Sequence, residues 1–281
     1  MRKQVRFVLS ATILTALCCT VLAHVDDPKL RDRQPPYTGP GYSSDKDQLV
    51  GVEFPSSNVQ LLSWIPVLDF NAGNTSASTV EGYVSPSGRE YAVVGLSDGT
   101  GFVEVTNPGS PVILAFIPGP DSLWKDVRVY QNYAYSVSEG GSGIQIMNMS
   151  QIDSGIVTLV GTSNTPAGTN AATHTMFINQ ASGRLYRAGG GTNGLRIYSL
   201  ANPAAPAYLG AWPDRYVHEV TVVNYTSGHY AGKEIAFCCG GFNGGQVDTG
   251  VYIVDITNLL DGNPNNGNPL LSYYAYSSPS F

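Results

Sequence analysis

Five polar side chains occupy matching positions in four similar segments of the chain. Glu81, Asp126, His174 and His218 each stand at the entry of a short run of alternating apolar residues, and Glu219 follows His218 directly. Alternation with a period of two is typical of β-strands. If the four strands surround a common axis, their entry positions converge at one end of it. Two imidazoles and several carboxylates at one place could bind a divalent metal ion or another small ligand.

The sequence leaves three interpretations of these residues open. All five are predicted ligand-binding residues, and His174, His218 and Asp126 are the predicted ligands of a divalent metal ion. The same groups could provide the acid/base pair of a hydrolase or lyase, whose turnover should then follow the titration of a histidine near neutral pH. They could also be structural, since polar side chains in repeat proteins often satisfy strand-end backbone groups. In that last case His174→Gln should change stability and leave ligand binding unchanged.

The strands around these residues belong to a repeated unit. Each unit consists of a glycine, an alternating apolar strand, a polar turn and a second apolar strand. The clearest copies are Gly101–Pro118 (GFVEVTNPGSPVILAFIP), Gly194–Trp212 (GLRIYSLANPAAPAYLGAW) and Gly250–Ser272 (GVYIVDITNLLDGNPNNGNPLLS). Gly143–Gly161 is a looser copy. The units recur at intervals of roughly 40–55 residues, a spacing typical of β-propellers and similar arrays.

Each unit contains about four predicted strands. The first strands of the four units are Val80–Val84, Lys125–Tyr130, His174–Asn179 and His218–Asn224. In a propeller, the innermost strand of every four-stranded blade lines the central channel. We therefore predict an all-β fold, a β-propeller of four-stranded blades, over residues 58–281. About four to five blades are expected, so the ring should be incomplete and truncated at its C-terminal end, with exposed strand edges that favour association.

The composition excludes one class of partner. The formal net charge is -6, only 13% of residues are charged, and no block of like charge occurs. A nucleic-acid surface needs clustered Lys and Arg to replace counterions, so we predict no nucleic-acid partner. The 32 Gly and 18 Pro indicate a turn-rich chain, and no amphipathic helix is predicted after residue 23.

The N-terminal segment has the features of a secretion signal. Arg2, Lys3 and Arg6 precede an apolar run, Phe7–Leu22, and Ala23 precedes the predicted cleavage point. The run is short for a bilayer span, so we predict no transmembrane segment after cleavage and a secreted location, which is extracellular, periplasmic or at the cell surface. Residues 24–57 are a predicted polar leader rich in Pro and Gly, with a short strand at Leu49–Phe54.

The cysteines and tryptophans suggest structural roles. After cleavage only Cys238 and Cys239 remain. Adjacent cysteines rarely reach disulfide geometry, so we expect free thiols rather than a strained vicinal disulfide. Trp64, Trp124 and Trp212 lie at predicted strand ends, where packing in the core or between blades is the expected role.

Several phrases resemble the choice-of-anchor B family of secreted bacterial proteins, which are built from LVIVD-type repeats. GVYIVDITN at Gly250–Asn258 is close to the repeat signature, and GFVEVTNP and GLRIYSLANP are looser copies. The resemblance covers roughly residue 58 to the end and departs around FCCGGFNGGQVDTG. It implies a β-propeller, export and, in many members, a C-terminal anchor. It carries no enzymatic activity over to this chain.

The sequence thus favours an exported binding scaffold without enzymatic activity. Its expected partner is an extracellular protein or a small ligand, held at the channel end formed by Glu81, Asp126, His174, His218 and Glu219. The alternative is a hydrolase or lyase that uses the same side chains.

Overall fold

The computed structural model describes residues 35–44, 57–164, 171–190, 194–241, 249–263 and 267–276. The predicted secretion signal and the predicted strand at Leu49–Phe54 lie outside these ranges.

A short two-stranded sheet comes first in the described chain. Strand β1 (Tyr42–Ser43) pairs antiparallel with β2 (Ser63–Trp64). Strand β1 lies in the segment predicted to be a polar leader. A one-turn 3-10 helix, Val67–Asp69, follows. The Phe70 ring packs against Gly101 so closely that a Cβ atom added there would lie only 2.5 Å from the ring.

Four antiparallel sheets of four strands each then follow one another along the chain. The first contains β3 (Ala77–Val84), β4 (Glu90–Leu96), β5 (Gly99–Glu104) and β6 (Val112–Pro118). The second contains β7 (Lys125–Tyr130), β8 (Tyr133–Ser138), β9 (Ile144–Gln151) and β10 (Ile156–Ser163). The third contains β11 (Thr175–Asn179), β12 (Arg184–Ala188), β13 (Leu195–Ser199) and β14 (Ala207–Trp212). The fourth contains β15 (Glu219–Asn224), β16 (Glu234–Gly240), β17 (Gly250–Asp255) and β18 (Leu270–Ala275).

The spatial order of strands within every sheet is the order in the sequence, because each strand pairs with the next one along the chain. Short hairpin turns such as Gln131-Asn132, between β7 and β8, make this order possible. The predicted strands agree closely with the observed ones. The largest differences are of three residues. Strands β3 and β5 begin three residues before their predicted starts at Val80 and Phe102, and β9 and β10 end three residues after their predicted ends at Asn148 and Val160, because the strand pairing continues there.

Three apolar layers hold the four sheets together face to face. Tyr91, Phe102 and Met147 belong to the layer between the first and second sheets. Tyr135 and Tyr198 belong to the next layer, between the second and third sheets. The last layer, between the third and fourth sheets, includes Trp212, Tyr252 and Cys238, and all of these side chains are almost fully buried. Burial of this apolar surface is the main stabilising contribution to the stack of sheets.

The first strands of the four sheets, β3, β7, β11 and β15, contact one another in that order. They are the inner strands, and their entry ends carry the predicted site. One α-helical turn, α1 (Ile256–Leu260), follows β17, and Asp255 caps it by accepting a hydrogen bond from the Asn258 N–H at 2.9 Å. Among the described residues, no helix has the length and apolar character needed to cross a membrane.

Candidate functional site

In each sheet, antiparallel pairing places two segments of the chain side by side at the site end of the inner strand. The start of an inner strand lies beside the end of the second strand of the same sheet. The His174 N–H donates to the Ala188 carbonyl oxygen at 3.0 Å, and the His218 N–H donates to the Cys239 carbonyl oxygen at 2.8 Å. Each histidine therefore extends the pairing of its sheet by one residue and has its backbone fixed there.

The two histidines come from neighbouring sheets and lie side by side. Their ring centroids are 4.0 Å apart, with 36° between the ring planes. The Nε2 atom of His174 is 3.8 Å from a carboxylate oxygen of Glu219. One donor atom from each of His174, His218 and Glu219 lies within 4.8 Å of the other two. The histidines are largely buried, whereas the Glu219 side chain is 50% exposed, so this group is open to solvent on one side.

Glu139, in the loop after β8, fixes the orientation of the His174 ring. A carboxylate oxygen of Glu139 lies 2.8 Å from His174 Nδ1. Because an ionised carboxylate only accepts hydrogen bonds, the proton of a neutral His174 is placed on Nδ1. The lone pair on Nε2 then faces Glu219.

Aromatic rings and a glycine complete the surroundings of the histidines. The Trp124 ring meets His174 edge to face, with centroids 5.9 Å apart, and the buried Tyr216 ring lies 6.4 Å from His218. Gly189 passes directly behind His174, since a Cβ atom on that glycine would lie 2.3 Å from the His174 Cβ. The rings are thus held by packing on their sides as well as by hydrogen bonds.

Asp126 serves as a brace between the second and third sheets. Its side chain is buried, and one carboxylate oxygen accepts hydrogen bonds from the Met176 N–H at 2.7 Å and the Thr175 hydroxyl at 3.0 Å. The other oxygen pairs with Arg128 Nη1 at 2.6 Å. Burial raises the pKa of Asp126, against the opposing effects of Arg128 and these hydrogen bonds. Both of its oxygens are therefore already hydrogen-bonded or ion-paired at the junction of β7 and β11.

Glu81 and Glu219 lie on either side of this brace. Partial burial raises the pKa of Glu81, Arg128 opposes that increase, and Asp126 adds to it. Partial burial also raises the pKa of Glu219; His174, when protonated, is the largest opposing influence, and Asp126 adds to the increase. The five predicted residues therefore share one electrostatic environment, although their side chains divide into two groups.

The structure places the predicted residues as follows. His174, His218 and Glu219 come together, whereas Glu81 and Asp126 group around Arg128. The sequence analysis missed Glu139 and Tyr216, and it assigned Trp124 to packing only. The sequence could have indicated Glu139, because the loop after the second strand of a sheet lies at the same end as the start of the inner strand. Polar residues immediately after β8 were therefore candidates.

The cysteines and tryptophans were predicted to have structural roles. Cys238 and Cys239 are free, as predicted, because successive strand residues point to opposite faces of the sheet. Trp212 is buried between the third and fourth sheets, as predicted, whereas the packing role predicted for Trp64 is wrong, since Trp64 is 40% exposed.

No protein-family model matches this chain, and no curated protein does. Among solved structures, the periplasmic gluconolactonase PpgL of Pseudomonas aeruginosa is similar, with a TM-score of 0.50, 14% identity, and coverage of 73% of this chain and 56% of that one. A protein from Lactobacillus plantarum has a TM-score of 0.46 at 15% identity, with 70% and 55% covered. Hydrazine synthase of Kuenenia stuttgartiensis has a TM-score of 0.42 at 11% identity, with 73% and 52% covered.

These structural neighbours include β-propeller proteins. The fold of this chain is a β-propeller. Each four-stranded sheet is a blade, as predicted from the sequence. The chain spans about half the length of the solved structures that it matches. At these identities the similarity concerns the fold alone, and the function must be argued from the site.

The chemistry of these side chains suits a ligand that has charge or hydrogen-bonding groups. Two imidazoles offer nitrogen donors or acceptors, Glu219 offers a carboxylate that faces solvent, and Trp124 offers an apolar edge. Such a combination of an apolar wall and a few converging polar groups is typical of small-ligand sites.

Proposed function

We propose that this chain is an exported β-propeller scaffold that binds a small ligand or an extracellular partner at the channel end where His174, His218 and Glu219 meet. The proposal includes export through the segment 1–23 and a relation to the choice-of-anchor B proteins with LVIVD-type repeats. Export is supported by the basic start and the apolar run Phe7–Leu22, and the relation to this family by Gly250–Asn258.

One observation supports this function most strongly. The two histidines come from different blades, and their rings nevertheless approach to 4.0 Å beside a half-exposed carboxylate. Bringing polar rings together from separate blades costs desolvation, which a purely structural channel could avoid with apolar side chains. The third and fourth blades are already joined by hydrogen bonds from Asn179 and Ser182 to the buried Glu234, so the two histidines are not the only polar contact between these blades.

A thermal-shift experiment tests this function. The folded chain is melted with millimolar citrate, inorganic phosphate, glucose or an acidic peptide, beside the Trp124→Ala and His218→Gln variants. The proposal expects at least one of these probes to raise the Tm of the wild type and to have a smaller effect on both variants. Equal shifts in all three proteins would contradict small-ligand binding at this site, and so would the absence of any shift together with no binding of a metal ion.

One observation favours hydrolase or lyase activity as the second candidate. The Glu139 carboxylate and His174 form a hydrogen-bonded pair at 2.8 Å, an arrangement that can support a general base. A catalytic role requires turnover whose pH profile follows a histidine and which Glu139→Gln lowers. Ligand binding without turnover would favour the scaffold.

A further inference from the structure

We propose that the ligand is a divalent transition-metal ion of the Zn²⁺ type, bound by His174 Nε2, one ring nitrogen of His218 and the carboxylate of Glu219. This proposal rests on the binding site proposed above and names its ligand class. It differs from the set expected from the sequence, in which Asp126 was the third ligand.

The environment of His174 is that of a metal-binding histidine. Histidines that bind metals almost always donate the other ring N–H to a carboxylate or a carbonyl group, which fixes the ring and increases its basicity. Glu139 provides this carboxylate, 2.8 Å from Nδ1, and leaves Nε2 facing Glu219 at 3.8 Å. Glu139 is therefore a positioning residue, independent of the three proposed ligands.

The separations require only side-chain movement. Donors about 2 Å from one tetrahedral ion lie roughly 3.3 Å from each other, and the three donor atoms here are within 4.8 Å. The half-exposed Glu219 side chain can rotate to close most of this difference. The backbones of His174 and His218 can remain where their hydrogen bonds to Ala188 and Cys239 hold them.

The donor types select the ion. Two imidazoles and one carboxylate suit Zn²⁺ and neighbouring transition ions, whereas Ca²⁺ and Mg²⁺ prefer sites built from oxygen alone. Three protein ligands leave a fourth position for water or an external ligand, as in open zinc sites. Asp126 is excluded from this set because its oxygens already bind Met176, Thr175 and Arg128.

The test is Zn²⁺ titration of the full chain after chelator treatment, by calorimetry at about pH 7.5, where neutral imidazoles favour binding. Ca²⁺ is titrated in parallel, and Co²⁺ serves as an absorption probe of the coordination sphere. We expect one Zn²⁺ per chain and no Ca²⁺ binding. Glu219→Gln and His218→Ala should each weaken Zn²⁺ binding at least tenfold, and Glu139→Gln should weaken it about 10–100-fold and change the Co²⁺ spectrum.

Two control variants complete the design. His229→Ala removes an exposed histidine outside the site and should leave the Zn²⁺ affinity unchanged, and Asp126→Asn should reduce it far less than Glu219→Gln. Glu219→Gln changes a half-exposed side chain, so it provides a folded variant even if His218→Ala is unstable. Absence of stoichiometric Zn²⁺ binding, or equal affinities in the wild type and Glu219→Gln, would overturn the proposal.

The outcome separates this proposal from the broader one. If a small organic probe stabilises the wild type through Trp124 and His218 but no Zn²⁺ binds, the metal proposal alone fails. If neither the thermal-shift probes nor Zn²⁺ bind, both the metal proposal and small-ligand binding at this site fail.

Discussion

His174 is fixed from three sides. Glu139 holds Nδ1, Trp124 meets the edge of the ring, and Gly189 lies against its Cβ. Gly189 also has φ near 73°, in the left-handed region that favours glycine. The position of the imidazole therefore depends on a residue that bears no side chain.

Gly189→Ala should disturb the site without changing any polar group. The left-handed conformation costs about 1–2 kcal/mol for a residue with a Cβ, and the new atom would also push His174 away. We expect lower stability in urea unfolding and at least tenfold weaker Zn²⁺ binding. Gly161→Ala is the matched control, because a Cβ there meets no atom within 4 Å. Similar results for the two variants would contradict this role of Gly189.

Asp126 is the second residue whose role the structure defines. In Asp126→Ala the buried Met176 N–H loses its acceptor, which should lower the free energy of unfolding by about 1–3 kcal/mol. Asp126→Asn keeps an oxygen for that N–H and should lose less. Urea unfolding of both variants measures the difference. A stability near that of the wild type in Asp126→Ala would show that the brace contributes little.

Neighbouring blades are joined by polar contacts at both ends of their inner strands. Asp126 on β7 binds β11 at the site end. At the opposite end, the buried Glu234 of β16 accepts hydrogen bonds from Asn179 at 2.6 Å and Ser182 at 2.7 Å, in the third blade. These contacts set the relative position of adjacent blades, and so the separation of the histidines that the blades carry.

Lys125, at the start of β7, makes the join between the first and second blades sensitive to pH. Its ammonium group donates to the Pro120 carbonyl oxygen, and burial lowers its pKa from 10.5 to about 8. Below about pH 8 both the folded and the unfolded chain carry the proton, so the folded state bears the full cost of the buried charge. Between pH 8 and 10.5 the unfolded chain binds more protons, so this group makes stability rise with pH, by about 1.4 kcal/mol per unit.

Lys125→Met removes this titration. The free energy of unfolding of the variant minus that of the wild type should be highest near neutral pH and lower at about pH 9.5. Urea unfolding of both proteins at the two pH values gives the comparison, in which groups common to both cancel. A stability difference independent of pH would contradict the lowered pKa.

At the scale of the molecule, the first and fourth blades carry exposed apolar side chains on faces that no neighbouring blade covers. Val80 and Val84 of β3, and Tyr274 of β18, are 63%, 62% and 71% exposed. Within the described residues, no further sheet covers the faces that carry these side chains. Exposed apolar sheet faces and edges favour association between molecules.

Sedimentation velocity should therefore show association that increases with protein concentration. The double variant Val223→Lys/Tyr274→Lys places charge on the outer face of the fourth blade and should reduce it. Val59→Lys changes a residue that is 73% exposed but outside the four sheets, and should have no effect. Equal association of all three proteins would show that this face is not involved.

The sequence predicted the blades well because alternating apolar residues and turn residues determine strands locally. Val80–Val84 and Lys125–Tyr130 needed no knowledge of other segments. The pairing of Tyr42–Ser43 with Ser63–Trp64 was missed, since two residues have no period. The choice between Asp126 and Glu219 as the carboxylate beside the histidines depends on how neighbouring blades are rotated, which local patterns do not determine.

The distance between the two histidine rings tests most directly whether the third and fourth blades converge at this site. Nuclear Overhauser spectroscopy on protein with ¹³C-labelled histidines, assigned with His→Gln variants, measures it without any added ligand. The account predicts a cross-peak between ring protons of His174 and His218, whose centroids are 4.0 Å apart, and none from either to His229. Absence of the His174–His218 cross-peak in the folded protein would contradict convergence of the third and fourth blades at this site.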